Sequence, residues 1–532
     1  MTQSVASSIY REACRKIALE IASMREISRS DVEKIKLKIS KMYKLAKVPS
    51  NLEILENAAP DLLEDVKRKL AKKPTRIVSG VTVVTVVAPI YECPHGRCIY
   101  CPGGETSPRS YTGREESVEN ASKVGYDPYL QVVNQVNKLE KLGHKVDKVE
   151  LIIIGGTFNA MPYGAQRWFI KRCLDALNNS DSRSFSEAVE KAEKAHIRVS
   201  GITVETRPDW ARLDNANKLL ELGVTRVELG VQALDDEIYR LVNRGHTVED
   251  VVEATRILKD LGFKVGYHLM PNLPGSSYEK DLEMYRIIWR DPRFRPDLVK
   301  IYPTLVLPNT GLYELWRRGE YRPYPDDVLI KLLAEYFVET PPYVRIQRVQ
   351  REIPLYMTID GNRIGNLREN VEYYLKSLGL RCRCIRCREV GRRLREGIKI
   401  NEENIRLNII KYEASEGIEY FISYEENVAD ALIGFIRLRL PSRVLRRELE
   451  EAAIVRELHV YGKMSPVKHK LEDSWQHKGY GSRLLAKAEE IAYSELNVKK
   501  IVVISGIGVR EYYYKRGYIR DGPYVSKRLD KS

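Results

Sequence analysis

Between residues 80 and 305 one pattern recurs six times: a short run rich in β-branched residues, then, in most cases, an amphipathic stretch. The runs are VTVVTVVAP, KVELIIIGGT, HIRVSGITVET, VTRVELGVQ, FKVGYHLMP and DLVKIYPT. The stretches include PYLQVVNQVNKLEKLG, DNANKLLELG and VEDVVEATRILKDLG. Valine and isoleucine suit the pleated conformation, and a helix between two such strands is the connection that lets them run parallel. The spacing predicts a parallel sheet, open or curled, and six units fit a partial (β/α)6 barrel. Barrels of this kind keep their chemistry at the C-terminal strand ends. The unusual residues of this sequence gather there: cysteines after the first run, Gly155-Gly156-Thr157 after the second, ETRP after the third, ELGVQ at the fourth and HLMPNLPG after the fifth.

At 532 residues the chain is too long for one hydrophobic core. Residues 1–75 read as a basic helical region and 76–340 as the barrel; 341–400 read as a linker and 401–532 as a second α/β domain. The last contains an antiparallel meander (IRLNIIKYEA, IEYFISYE, ALIGFIRLRL, AAIVRELHVYG), a helix from Tyr480 to Leu496, the strand KKIVVISGIG and the turn YYYKRGY. A net charge of +15 favours a polyanionic partner, nucleic acid first, although a surface rich in ion pairs gives a similar count. No run approaches the roughly 20 apolar residues of a membrane span, and the N-terminus has no signal-peptide core, so a cytoplasmic protein without membrane contact is expected. In that reducing compartment clustered cysteines read as metal ligands rather than disulfides.

Cys93, Cys98 and Cys101 are spaced C-x4-C-x2-C within CPHGRCIYCPGG. A zinc knuckle would need a fourth ligand, which His95 could supply. An iron–sulfur cube held by three cysteines instead leaves one iron open to a small molecule, whereas four close it. Three cysteines after the first barrel strand resemble the radical S-adenosylmethionine (SAM) enzymes, whose usual spacing is one residue shorter in the first gap. The resemblance implies a [4Fe–4S] cluster that chelates SAM and releases a 5′-deoxyadenosyl radical. Gly155, Gly156 and Thr157 look like the loop that meets the methionine amino group in that superfamily.

SWQHKGYGSRLLAKAEEIA places Gln476, Gly479 and Gly481 as Q-x-x-G-x-G at a helix start, where backbone N–H groups can approach a pyrophosphate. With ELHVYG upstream and VVISGIGVREYYYKRGY downstream, the order resembles the GNAT acetyltransferases, which hold coenzyme A between a splayed strand and this loop. The pairing of the two domains, with GGTFNAMP, NRGHTVE, FRPDLVKIYPTLV, VQREIP, GNLRE and GPY, resembles the catalytic subunits of Elongator, which modify the tRNA wobble uridine. That resemblance, which runs from about residue 75 to 528, implies removal of hydrogen from the acetyl-CoA methyl, addition of the carbon radical to carbon 5 of the uracil, and thioester hydrolysis to a carboxymethyl group. It assigns the cluster to Cys93, Cys98 and Cys101, and an acetyl-CoA contact to Lys148. Further acetyl-CoA contacts fall on Glu457, Leu458, His459, Val460, Tyr480, Gly481, Ser482 and Tyr513.

Cys382, Cys384 and Cys387 form C-x-C-x2-C, tight enough for one zinc ion, and the family's archaeal and bacterial members carry a linker zinc. Around them stand Arg381, Arg383, Arg386, Arg388, Arg392, Arg393 and Arg395, expected to form a basic surface for the tRNA anticodon stem-loop with the N-terminal lysines. Self-association or other Elongator-type subunits are further expected partners. Cys14 and Cys173 stand alone in helical patterns and read as core. Two competing readings remain: a lysine (histone-type) N-acetyltransferase with a structural iron–sulfur domain, and a non-catalytic tRNA-binding scaffold.

Overall fold

The computed structural model describes residues 2–25, 27–70, 81–462 and 478–529. Four helices come first: Thr2–Ser23, Arg29–Met42, Asn51–Asn57 and Leu63–Leu70. Ser28 with Asp31, and Ser50 with Glu53, form capping boxes that satisfy the orphan N–H groups of two of them. Ile17, Ile21, Ile39, Ile54 and Val66 make their shared core.

The barrel sheet holds seven parallel strands in sequential order: β1 (Thr82–Val87), β2 (Lys148–Ile154), β3 (Arg198–Thr206), β4 (Arg226–Gln232), β5 (Lys264–Leu269), β6 (Leu298–Ile301) and β7 (Arg345–Val349). The first six are those expected. The seventh pairs with β6 through Leu298↔Arg345 and Ile301↔Val349 and lies inside the stretch read as linker. Its five residues, RIQRV, carry only two apolar side chains, so no run marks it as a strand. Valines, leucines and isoleucines such as Val84, Leu151, Val204, Val227, Val265, Val299 and Ile346 pack outward under the helices. The alternate residues face the concave side, as the period of two requires.

The second sheet has the order β13-β14-β12-β11-β10-β9-β8, formed by β8 (Ile405–Ala414), β9 (Gly417–Glu426), β10 (Ala431–Leu440), β11 (Ala452–Val460), β12 (Lys500–Val503), β13 (Ile519–Asp521) and β14 (Tyr524–Arg528). Its pairs are antiparallel except β11 with β12. The helix Tyr480–Ser494 buries Leu484, Leu485, Ala488 and Ile491 on one face of this sheet. The hairpin β13–β14 was not anticipated; it follows the YYYKRGY turn and is too short to carry a pattern.

The two sheets are joined by a buried knot of charge below the barrel. Arg456 donates to Asp297 at 2.6 and 2.7 Å and to Glu419 at 2.8 Å. Arg439 bonds Asp260 and Glu419, and Lys259 lies 3.5 Å from Glu419 and 3.7 Å from Asp297. Desolvating so many charges leaves little net gain, but any misplacement leaves an unpaired buried ion, so the knot fixes one docking geometry. The backbone closes in as well: a Cβ on Gly508 would run into the amide of Val199 at the foot of β3.

Candidate functional site

One cavity of about 1460 Å³ runs along the concave side of the barrel and out between the two sheets. Cys93, Gly156, Thr157, Gln232, Arg244 and Tyr302 line its upper end. Lys148, Arg198, Lys264 and Arg345 line its lower end together with Glu457, Leu458, His459, Val460 and Tyr461. The cysteine loop and the C-terminal domain therefore share a single space.

At the upper end Cys98 and Cys101 are buried, and Cys93 is half-buried at the wall. The Ser110 N–H donates to Cys101 Sγ at 3.2 Å, Arg244 points Nη1 at Cys98 Sγ from 3.7 Å, and His95 Nε2 lies 3.1 Å from that sulfur. Burial pushes the Cys93 and Cys101 thiols up, an effect a bound cation reverses. A single tetrahedral ion would hold sulfurs about 3.8 Å apart. Among the described residues the ligand groups that gather within 4.8 Å are Cys382, Cys384 and Cys387, and Glu205, Glu228 and His268; the Cys93 trio stands wider. Thiols spread wider than one tetrahedral ion allows suit an iron–sulfur cube better than a single zinc ion. Thr157 and Cys93 stand together on the cavity wall, where the Thr157 hydroxyl favours the Cys93 thiolate, so the glycine loop meets the cysteine loop. Gly155 is required there: its φ is +131°, and a Cβ would press on Ala88 at 3.1 Å.

Across the middle of the concave face lies a ladder of charge. Arg226 meets Glu150 at 2.7 Å and Glu228 at 3.3 Å; Glu228 also holds Lys300, and His268 at 2.9 Å. Lys300 lies 3.7 Å from Glu205, which accepts the Tyr111 hydroxyl at 3.2 Å. Burial acts to raise the Glu228 carboxyl, but Lys300, His268 and Arg226 hold it far below the carboxylate range. The Lys300 ammonium occupies the place a metal would take between Glu205 and Glu228. Sequence reasoning missed all of these residues, although ETRP, ELGVQ and HLMP bracket three of them.

At the lower end β11 and β12 pair only from Ala452↔Lys500 to Val455↔Val503. Beyond Val455 the strands part, and Glu457 to Val460 border the opening. Glu457 bonds Arg437 at 3.0 Å, and Lys264 stands 3.6 Å away. The buried His459 Nε2, Ser505 Oγ and Tyr512 Oη have no partner, as expected of polar groups awaiting a ligand. The helix Tyr480–Ser494 starts at this opening behind Gly479, at φ +78°, with no side-chain cap on its first N–H groups. Gly481 and Ser482 line the cavity, and Arg516 bonds Ser482 Oγ at 2.8 Å. Tyr513 lines it too. Tyr480 does not; its ring is buried against Tyr424 at 5.0 Å. Gln476 lies outside the described residues. Lys148, first residue of β2, reaches the same space, and burial pushes its ammonium pKa down.

Cys382, Cys384 and Cys387 gather before and within the short helix Ile385–Arg388. Glu372 Oε1 is 3.8 Å from Cys387 Sγ, while Arg368 and Arg392 bond the same carboxylate. The surrounding arginines mostly have acid partners: Arg381 and Arg383 hold Asp430, Arg388 holds Glu425, and Arg392 and Arg393 hold Glu396. Among the described residues Arg386 bonds the Gln347 carbonyl alone, and it faces the cavity; burial, with Arg368 and Arg345 nearby, pushes its pKa down to about 10.

The Radical SAM superfamily matches residues 87–288, the Radical SAM C-terminal domain 296–377 and the ELP3 N-terminal domain 10–78. The chain is 45% identical to the tRNA uridine(34) acetyltransferase of Methanocaldococcus jannaschii over 98% of both chains. It is 42% identical to Elongator complex protein 3 of Schizosaccharomyces pombe over 99% of this chain and 100% of that one. The chain belongs to the Elongator complex protein 3 family. A solved archaeal member, Methanocaldococcus infernus Elp3 with an N-terminal deletion, superposes with a TM-score of 0.76 at 45% identity, covering 85% of this chain and 99% of that one. The radical SAM half-barrel of the Elongator complex protein 3 family is thus the seven-stranded sheet described above. Its last two strands fall in the Radical SAM C-terminal domain, which explains why β7 lies beyond the six expected units. Among the described residues no helix is long and apolar enough to cross a membrane.

Proposed function

We propose that this chain modifies transfer RNA at carbon 5 of the wobble uridine, taking the added carbons from acetyl-CoA. The observation that carries the reading is the single cavity that joins the thiol loop to the β11/β12 opening. Cys93, Cys98 and Cys101 would hold a [4Fe–4S] cluster, which with bound SAM would supply the radical chemistry for removing hydrogen from the acetyl methyl. The chain's own groups do the positioning. Arg244 and the Ser110 N–H donate to sulfur, and Gly155, Gly156 and Thr157 border the methionine end. The C-terminal domain acts as a GNAT domain: the N–H groups at Gly481 and Ser482 receive the pyrophosphate, with Arg516 beside them. Glu457, Leu458, His459, Val460 and Tyr513 line the arm, and Lys148 meets it from the barrel.

Cys382, Cys384 and Cys387 hold a structural zinc, with Glu372 the nearest carboxylate for a fourth position. The anticodon loop approaches the open edge between β1 and β7, where Arg348, Arg351, Arg386 and Arg395 line the cavity. The four N-terminal helices add basic surface, and Elongator-type subunits or a second copy are the chain's protein partners in the cytoplasm. A protein-lysine acetyltransferase fits less well, because Glu457 and His459 face the enclosed barrel and not an open groove.

Anaerobically reconstituted protein given SAM, a reductant, acetyl-CoA and tRNA is expected to add mass at uridine 34. Cys98→Ala is expected to lose that product. Acetylated protein lysine with unchanged RNA would overturn the reading.

A further inference from the structure

One histidine of the cysteine loop does not border the cavity. His95 lies between Cys93 and Cys98, with its Nε2 3.1 Å from Cys98 Sγ and its Nδ1 buried without a partner. The chain holds the ring there from two sides. Gly96, at φ +87°, turns the loop back so that its N–H meets the Cys93 carbonyl at 3.0 Å. Residues 242–246 pack against the loop from outside: Asn243 Nδ2 donates to the Arg97 carbonyl at 2.8 Å, and the Ile99 N–H to the Val242 carbonyl at 3.1 Å. Gly245 backs the histidine, since a Cβ there would stand 2.7 Å from His95 Cβ. From the same segment Arg244 aims Nη1 at Cys98 Sγ from 3.7 Å, anchored by a bond to the Gly230 carbonyl. We propose that His95 is a positioning residue acting through Cys98: its Nε2–H donates to the cluster-bound thiolate and makes the cluster easier to reduce by one electron. The proposal rests on the reading of Cys93, Cys98 and Cys101 as cluster ligands.

The direction of the bond follows from the chemistry of the pair. A free thiol can give its proton to an imidazole nitrogen, but a sulfur bound to iron has no proton to give, so the ring must be the donor. No acceptor bonds Nδ1, so nothing draws the ring proton away from Nε2. The sulfurs are not served alike. Cys98 Sγ meets both His95 and Arg244, while Cys101 Sγ takes the Ser110 N–H at 3.2 Å. An electron added to such a cluster spreads onto its sulfurs, and N–H groups aimed at a ligand sulfur favour the more negative form. Two donors on Cys98 therefore raise the reduction potential, and the electron from a low-potential reductant is accepted more readily. Arg244 bonds elsewhere as well, whereas His95 is committed to the sulfur. The histidine is thus the donor whose removal changes the potential without loosening the barrel.

Redox titration of the anaerobically reconstituted full chain, without SAM and read by electron paramagnetic resonance, tests this without turnover. His95→Leu keeps bulk and loses the donor; His95→Gln keeps an N–H able to reach the sulfur. At the parent's midpoint potential His95→Leu is expected to show a reduced-to-oxidised ratio at least tenfold lower, a shift of about 59 mV for one electron. His95→Gln is expected to recover at least half of that shift, which a merely space-filling role would not allow. His95→Leu at the parent's potential, or His95→Gln as low as His95→Leu, would overturn the proposal while leaving the cluster standing. A parent with no cluster signal would remove both. Should His95→Leu take up no iron, electron–nuclear double resonance on the parent labelled with [15N]histidine decides. A weak nitrogen coupling that is missing from His95→Gln is expected. A coupling large enough for nitrogen bound to iron, or none at all, would sink the hydrogen bond to Cys98.

Discussion

Lys148 and Glu457 sit on facing sides of the opening and are tuned in different ways. Lys148 is desolvated, and under the proposed function it gains when an acyl oxygen arrives, since a hydrogen bond to a charged donor is worth about 1.5–3 kcal/mol. Lys148→Met is therefore expected to weaken acetyl-CoA binding by roughly tenfold or more, read by calorimetry, with Lys148→Arg recovering part of the loss. Glu457 is already satisfied. Burial acts to raise its carboxyl, yet Lys264, Arg437 and His459 hold it at about 2 against an ordinary 4.5. Its contribution is complete above pH 4.5 and fades as pH falls toward 2, and it amounts to at most about 3 kcal/mol. Denaturant midpoints of Glu457→Gln should lie below the parent's at pH 6, with the gap narrowing as pH falls from 4.5 toward 2.

At the scale of elements, the loop after β12 meets the foot of β3 backbone to backbone. Gly508→Ala forces a Cβ against the Val199 amide, which no rotamer can relieve. A loss of about 1–3 kcal/mol is expected from such overpacking, seen as a lower thermal midpoint with acetyl-CoA binding weakened in parallel. Strands β1 to β6 were legible because their helix-facing residues are valine, leucine and isoleucine. In β7 the concave residues are Arg345 and Gln347, and a five-residue strand has too few outward positions to show a run. The same alternation hid the ladder. Arg226, Glu228 and Lys300 stand where a one-sided sheet shows polar residues to water, and only the curl of the barrel makes that side an interior. The cysteine loop and the glycine helix start were readable since their chemistry depends on local spacing. The ladder depends on partners one or two strands away.

Across the whole molecule, the two catalytic parts are held in register by ions that never meet solvent. Asp297→Asn leaves Arg456 and Lys259 without their shared carboxylate, and breaking one partner of a buried pair costs about 3–5 kcal/mol. The barrel core and the second sheet's core would each survive, so the melting curve is expected to split into two transitions where the parent gives one. A single unshifted transition would show that apolar packing alone docks the domains.

Because one set of strands carries the thiol loop at one tip and the contacts to the C-terminal domain at the other, their length is constrained twice. A one-residue insertion in β4 would turn Arg226 and Glu228 toward the helices and bring Val227 into the lumen. A two-residue insertion would keep the facing but lengthen the span by about 7 Å. Changes in chain length are therefore best tolerated in the loops, where neither tip is displaced.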